Sequence, residues 1–295
     1  MSAKPKRLLK LLLKLTVTAG ALWYVLHKID VDELKTSLAL ADGFWLFVAL
    51  VLFNASKIAS ALRLELYFQA LGLRLSRAYN LALYYVGMFY NLFLPGGIGG
   101  DGYKIYLLAK RFSKGIKPLF AAVLLDRLSG LAALVLYALV LFAFSDYAAT
   151  LGHGSAAASL VLALAVFPVA WWATKRFFPD FLGVFKPTML WGLGVQALQL
   201  LSALAILLAI GVEAFRLEYL TLFLLSSVAA VLPLTVGGVG IRELTFLYGL
   251  QAIGQRPEQG VTFSFLFFVI TALSSLAGLF LLHRVDGQTS EEKNR

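Results

Sequence analysis

The chain has 295 residues, 60% of them hydrophobic and 14% charged, with mean hydropathy +0.82 and a formal net charge of +10. Soluble domains carry about 25% charged residues, so this composition points to a polytopic membrane protein, with no polar stretch left for a separate soluble domain. There is no cysteine, which excludes disulfides, thiolate metal sites and cysteine nucleophiles.

A membrane span needs about 20 apolar residues. The first predicted span is Leu11–His27, preceded by Lys4, Lys6, Arg7 and Lys10. Lys14 interrupts its apolar core and more spans follow, so it reads as an uncleaved helix and not a signal peptide. An acidic connection to Asp42 contains a short interfacial helix at Val31–Leu40. The second span, Gly43–Leu62, carries Asn54 and Lys57 and leads into a basic connection with Arg63, Arg74 and Arg77. Ala78–Leu94 runs to a glycine-rich break, and a helix follows over Gly102–Lys110. Pro118–Phe144 is a long span holding Asp126 and Arg127. After a short loop at Ser145–Gly154 come spans at Ser155–Ala173, with Trp171 and Trp172 as interface anchors, and at Thr188–Gly211. Glu218–Leu232 runs to a second break, Ile241–Ile253 is a short helix, and Gly260–His283 is the last span. From Arg284 the tail is polar and expected to be disordered. His27, His153 and His283 lie near the ends of apolar runs, which suits an interface better than a metal.

The two breaks match. Pro95-Gly96-Gly97-Ile98-Gly99-Gly100-Asp101-Gly102-Tyr103-Lys104 and Pro233-Leu234-Thr235-Val236-Gly237-Gly238-Val239-Gly240-Ile241-Arg242 both read Pro-x-x-(Ile/Val)-Gly-Gly-x-Gly-x-(Lys/Arg). If each break returns the chain to the side it entered from, the cytoplasmic connections hold sixteen Lys and Arg residues, in the N-terminal segment and at 63–77, 104–117 and 175–186. The outside then holds five, in accord with the positive-inside rule. The fold expected is an all-α polytopic membrane protein with about six full spans and two re-entrant helical hairpins, or eight apolar spans by simple counting. The whole chain, 1–295, forms one membrane domain with a cytoplasmic N-terminus. Its halves, 8–145 and 155–283, are inverted repeats, and 284–295 is a polar tail. Paired interrupted segments of this kind mark transporter sites near the midplane.

The chemistry expected at the breaks is anion binding. Flexible glycines at a helix start leave free N–H groups, which favour phosphate. The alternative role of these glycines is close helix packing. Asp101 fits the N-cap of the helix after the first break, with proton chemistry as its other role. Lys104 and Arg242 occupy matching positions, as snorkelling cations or as phosphate contacts. Glu243 either neutralises Arg242 or carries a proton. Asp126 and Arg127 are ionisable groups inside a span, hence functional candidates or a structural ion-pair pattern. Neighbours on a helix point about 100° apart, so each needs its own partner: a carboxylate such as Asp101 for Arg127, and Lys57 or Arg63 for Asp126. Gly97–Gly102 also matches G-x-G-x-x-G, but no buried strand precedes it, so a dinucleotide site is set aside. No cofactor, metal or catalytic constellation is read, nor any nucleic-acid partner.

Three blocks carry a resemblance: Asn91-Leu92-Phe93-Leu94-Pro95-Gly96-Gly97-Ile98-Gly99-Gly100-Asp101, Asp126-Arg127-Leu128-Ser129-Gly130, and Leu232-Pro233 with Val236-Gly237-Gly238-Val239-Gly240-Ile241-Arg242-Glu243. With them the sequence resembles the lysylphosphatidylglycerol synthase transmembrane region, the flippase-like (YbhN-type) membrane proteins. The resemblance implies a plasma (inner) membrane protein that translocates a lipid and is not an enzyme. In bifunctional members a separate cytosolic domain makes the lipid. This sequence ends shortly after its last predicted span, so the resemblance implies translocation without synthesis. The substrate class expected is an anionic or modified phospholipid or a polyprenyl-phosphate-linked lipid. The alternatives are a secondary transporter of a small soluble anion, and a non-catalytic subunit that presents lipid to a partner transferase.

Overall fold

The computed structural model describes residues 16, 23, 26–27, 31–93, 99–112, 114–152, 154–231 and 238–291. Among these there is no strand. The elements are α1 (Val31–Ala39), α2 (Gly43–Ala70), α3 (Arg77–Phe93), α4 (Gly99–Phe112), α5 (Ile116–Phe144), α6 (Asp146–Thr150), α7 (Ser155–Phe177), a 3-10 turn (Pro179–Val184), α8 (Phe185–Ala209), α9 (Arg216–Val231), α10 (Ile241–Ala252) and α11 (Glu258–Glu291). Five segments are long and apolar enough to cross a membrane: Gly43–Ala70, Ile116–Phe144, Ser155–Phe177, Pro179–Ala209 and Glu258–Val285. The expected first span falls mostly outside the described residues.

Several boundaries differ from the sequence reading. α2 does not stop at Leu62 but continues to Ala70, because Arg63 and Glu65 are buried helix residues and not loop cations and anions. It ends at Gly72, which has φ 76°. The Leu73 amide donates to the Phe68 carbonyl and the Gly72 amide to that of Gln69, a Schellman closure that glycine adopts without a Cβ penalty. α10 ends in the same way at Gly254, with φ 69°. The short loop after α5 contains one helical turn, α6. α11 runs through the tail to Glu291, where order was not expected. Val285 anchors this extension by inserting, fully buried, into an apolar cluster. α1 is exposed, and the Lys35 ammonium hydrogen-bonded to Asp32 at 2.9 Å holds that carboxyl below its ordinary range.

The chain forms two compact units. Unit one comprises 31–52, Tyr137–Ala163 and Leu200–Thr271; unit two comprises Phe53–Leu136, Leu164–Gln199 and 272–291. Each candidate span contributes one stretch to each unit. Unit two packs around Phe68, Leu83, Leu108, Leu119 and Ala122, all with no exposed surface. Unit one is held by an aromatic cluster in which the Phe223 ring lies 4.8 Å from Phe267 and the Phe246 ring 5.1 Å from Phe263. Among the described residues, unit two carries fourteen Lys and Arg against six Asp and Glu, whereas unit one carries four against eight.

Each unit contains one helical hairpin. In unit two, Asn91 of α3 meets Gly100 of α4, Gly87 and Tyr84 meet Lys104, and Tyr79 meets Arg111. Contacts that descend along α3 while ascending along α4 make the two antiparallel. In unit one, Ala230 meets Gly238, Phe223 meets Arg242, and Leu222 meets Gly249, so α9 and α10 are antiparallel as well. Large apolar side chains such as Leu164, Phe280 and Val161 remain exposed, as on a surface that faces lipid.

Candidate functional site

Pro95, Gly96, Gly97, Pro233 and Gly237 lie outside the described residues. The other predicted site residues divide between the two hairpins and α5.

In unit two, α4 begins at Gly99, three residues earlier than expected. Asp101 is therefore not the N-cap but lies in the first turn, where its carboxylate takes up cations. Lys104 Nζ sits 3.3 Å from Asp101 Oδ1, and Arg127 Nε donates to Asp101 Oδ2. Gly100 is buried, and its N–H donates to Asn91 Oδ1 at 2.8 Å. A Cβ on Gly100 would lie 1.9 Å from the Gly87 carbonyl oxygen, so this glycine serves the close approach of α3 and α4. Gly102 has open space where its Cβ would be. Lys104 does not snorkel. Its stem crosses Gly87, where a Cβ would meet Cε at 2.2 Å, and its ammonium lies 4.7 Å from the centre of the Tyr84 ring.

Asp126 and Arg127 have separate partners, as their angular separation on α5 requires. Arg63 Nε donates to Asp126 Oδ1 at 2.8 Å, with both side chains at most 10% exposed. Gly130 and Gly192 leave room for the guanidinium: their Cβ positions would lie 3.0 Å and 3.6 Å from Arg63 Nη1. Gln196 Nε2 donates to the Gly130 carbonyl at 3.4 Å. Among the described residues, the buried Arg63 Nη1 and Gln196 Oε1 have no hydrogen-bond partner. The Arg127 side chain remains 40% exposed. In unit two the ion pairs thus join Arg63 to Asp126 and both Lys104 and Arg127 to Asp101. Tyr84 and Gly87, one helical turn apart on α3, support Lys104 but were not singled out from sequence. Their only signal is that spacing, which any helix face shares.

In unit one, Gly238 and Gly240 have φ of 81° and 91°, and α10 starts immediately after them. Glu243 is buried and accepts from the Gly240 N–H at 2.6 Å and from the Ser264 hydroxyl at 2.9 Å. This is the half of a capping box that a glycine N-cap permits. The carboxylate hydrogen-bonds back on its own helix, while the guanidinium of Arg242 lies over Phe223 and Phe267 at 5.3 Å and 4.7 Å. Among the described residues, the buried Arg242 Nη1 has no hydrogen-bond partner.

The chemistry expected of the breaks changes accordingly. The Gly100 and Gly240 N–H groups are engaged by Asn91 and Glu243, and a carboxylate already sits in the first turn of each helix. Among the described residues no cluster of His, Asp and Glu is arranged to hold a metal.

A comparison with curated proteins finds no match. A family model described as the lysylphosphatidylglycerol synthase TM region matches residues 11–278. That match covers both hairpins, the charged turn of α5, four of the five apolar spans and the fifth as far as residue 278, and the chain belongs to the lysylphosphatidylglycerol synthase TM region family.

Proposed function

We propose that this multi-pass membrane protein translocates an anionic or modified lipid, a phospholipid or a polyprenyl-phosphate-linked lipid, and that Arg127 meets its headgroup. The observation that carries the reading is the exposure of Arg127 in the charged cluster of unit two. Its guanidinium is paired with Asp101 yet 40% exposed, whereas Arg63 and Lys104 are buried. An ionisable group inside an apolar span is a functional candidate by default. A lipid phosphate is an anion that an exposed guanidinium binds through charge-assisted hydrogen bonds.

The same reading makes each hairpin re-entrant. α3, α4, α9 and α10 have 17, 14, 16 and 12 residues, so they are about 18–25 Å long at 1.5 Å per residue. The hydrocarbon core is about 30 Å thick. The Lys and Arg residues at 63–77 and 104–117 support a cytoplasmic entry for the first hairpin, and the matching Pro-x-x-(Ile/Val)-Gly-Gly-x-Gly pattern supports an outside entry for the second. Hairpins entering from opposite sides make the two halves an inverted repeat in the plasma membrane. On this reading the protein is a transporter and not an enzyme. A lipid-modifying transferase is the partner that would supply or consume its substrate.

The test is leaflet exchange in proteoliposomes. Purified protein is reconstituted with a panel of fluorescent phospholipids and polyprenyl phosphates, and the fraction reachable by an impermeant quencher is followed in time. Wild type moves at least one anionic lipid, Arg127→Ala abolishes the movement and Arg127→Lys restores part of it. Absence of movement over the whole panel, with monodisperse protein, refutes the proposal. Uptake of a soluble anion without lipid exchange replaces it with the small-anion alternative.

A further inference from the structure

We infer that unit one binds one hydrocarbon chain of a membrane lipid in a groove between α9 and α10. The groove has a volume of about 550 Å³, within the roughly 300–1,000 Å³ of ligand pockets. One wall is a stripe of α10: Ile241, Leu244, Thr245, Tyr248 and Ala252. That spacing follows one helix face and extends about 16 Å at 1.5 Å per residue. The opposite wall is Leu222, Leu225 and Ala229 of α9, again one face. Phe142 and Leu151 close the third side.

Gly249 forms part of the lining without a side chain. A Cβ there would meet Leu222 Cδ2 at 2.2 Å, so the two walls are in contact at this glycine. No Asp, Glu, Lys, Arg or His is among the residues that line the groove. Three of its hydroxyls donate to backbone carbonyls of its own walls: Tyr147 to Gly249 at 3.1 Å, Thr245 to Ile241 at 2.8 Å and Thr150 to Tyr147 at 2.9 Å. An ordered water needs two to four polar partners, and a lipid headgroup needs a charge or a free donor. A hydrocarbon chain needs neither. It is also the apolar ligand that surrounds a multi-pass membrane protein at high concentration. Leu151 and Tyr248, 72% and 54% exposed, give the chain a lateral way in. This inference rests on the protein being embedded in a membrane and does not require that it moves lipid.

The experiment is photolabelling in nanodiscs of phosphatidylcholine and phosphatidylglycerol, with a diazirine on one acyl chain and labelled residues located by peptide mass spectrometry. Labelling at 222–252 is expected severalfold above that at Val161 and Leu164 of α7, exposed apolar positions outside the groove. Ala229→Phe and Ala252→Phe fill the groove and are expected to bring its labelling down to the α7 level, whereas Leu164→Phe leaves it high. Equal labelling of groove and α7 in wild type overturns the inference, as does undiminished groove labelling in the filled variants. If neither filled variant is monodisperse, the wild-type ratio decides alone. Groove labelling without leaflet exchange keeps this inference and removes the transport reading. Exchange with even labelling does the reverse.

Discussion

Replacing Asp126 tests whether the charged turn of α5 is structural. Its carboxylate is 2.8 Å from Arg63 Nε, and both side chains are almost fully buried. Arg63 cannot swing away readily, because its guanidinium is wedged against Gly130 and Gly192. Asp126→Ala therefore leaves a buried, unpaired guanidinium. Breaking a buried pair on one side costs about 3–5 kcal/mol, about a hundredfold or more in the folded population. At about 2–4 °C per kcal/mol for a chain of some 150–250 residues, the melting temperature in detergent should fall by on the order of 10 °C. Arg63→Met combined with Asp126→Leu removes both charges and should recover most of the loss, since an apolar pair of similar volume often replaces a buried ion pair at little cost. Fluorescence-detected size-exclusion chromatography after a temperature ramp measures all three variants. A drop of under about 2 °C for Asp126→Ala on the same scaling, or a double variant no better than the single one, would refute the structural reading of the pair.

Gly100→Ala forces a Cβ onto the Gly87 backbone and should destabilise by at least the roughly 1–3 kcal/mol of overpacking. Gly102→Ala meets nothing within 4 Å and should stabilise by up to about 1 kcal/mol of helix propensity; the same melting assay separates them, and an equal effect of both contradicts the packing argument. Gly278→Ala, whose Cβ would lie 2.2 Å from the Tyr85 carbonyl oxygen, should behave like Gly100→Ala. Arg242→Met removes a buried cation that has no ion pair among the described residues, so stability should hold or rise; a fall of more than about 5 °C, on the scaling of the Asp126 experiment, would mean that stacking on Phe223 and Phe267 outweighs desolvation.

The breaks were found from sequence because glycine and proline interrupt apolar runs whatever the tertiary context. The partners of Asp126 and Arg127 were foreseen on similar grounds: adjacent helix positions diverge, and few ionisable groups were available. The roles of individual residues were less legible. Arg63 read as a loop cation because a lone arginine ends an apolar run, and only Asp126, 63 positions away, lets the helix continue through it. Asp101 reads as a cap from sequence because glycines precede it, whereas the close approach of Gly100 to Gly87 gives that glycine a reason to lie in the helix.

Composition and the spacing of apolar runs were enough to determine a membrane-embedded, all-helical chain with two matched interruptions, since transfer free energy and helix breaking are properties of single residues and short windows. Which glycine packs, which carboxylate holds which cation and where an apolar groove opens were decided by tertiary structure. These depend on pairs of atoms brought within a few ångströms by helices far apart in sequence, as Gly249 is with Leu222 and Arg63 with Asp126.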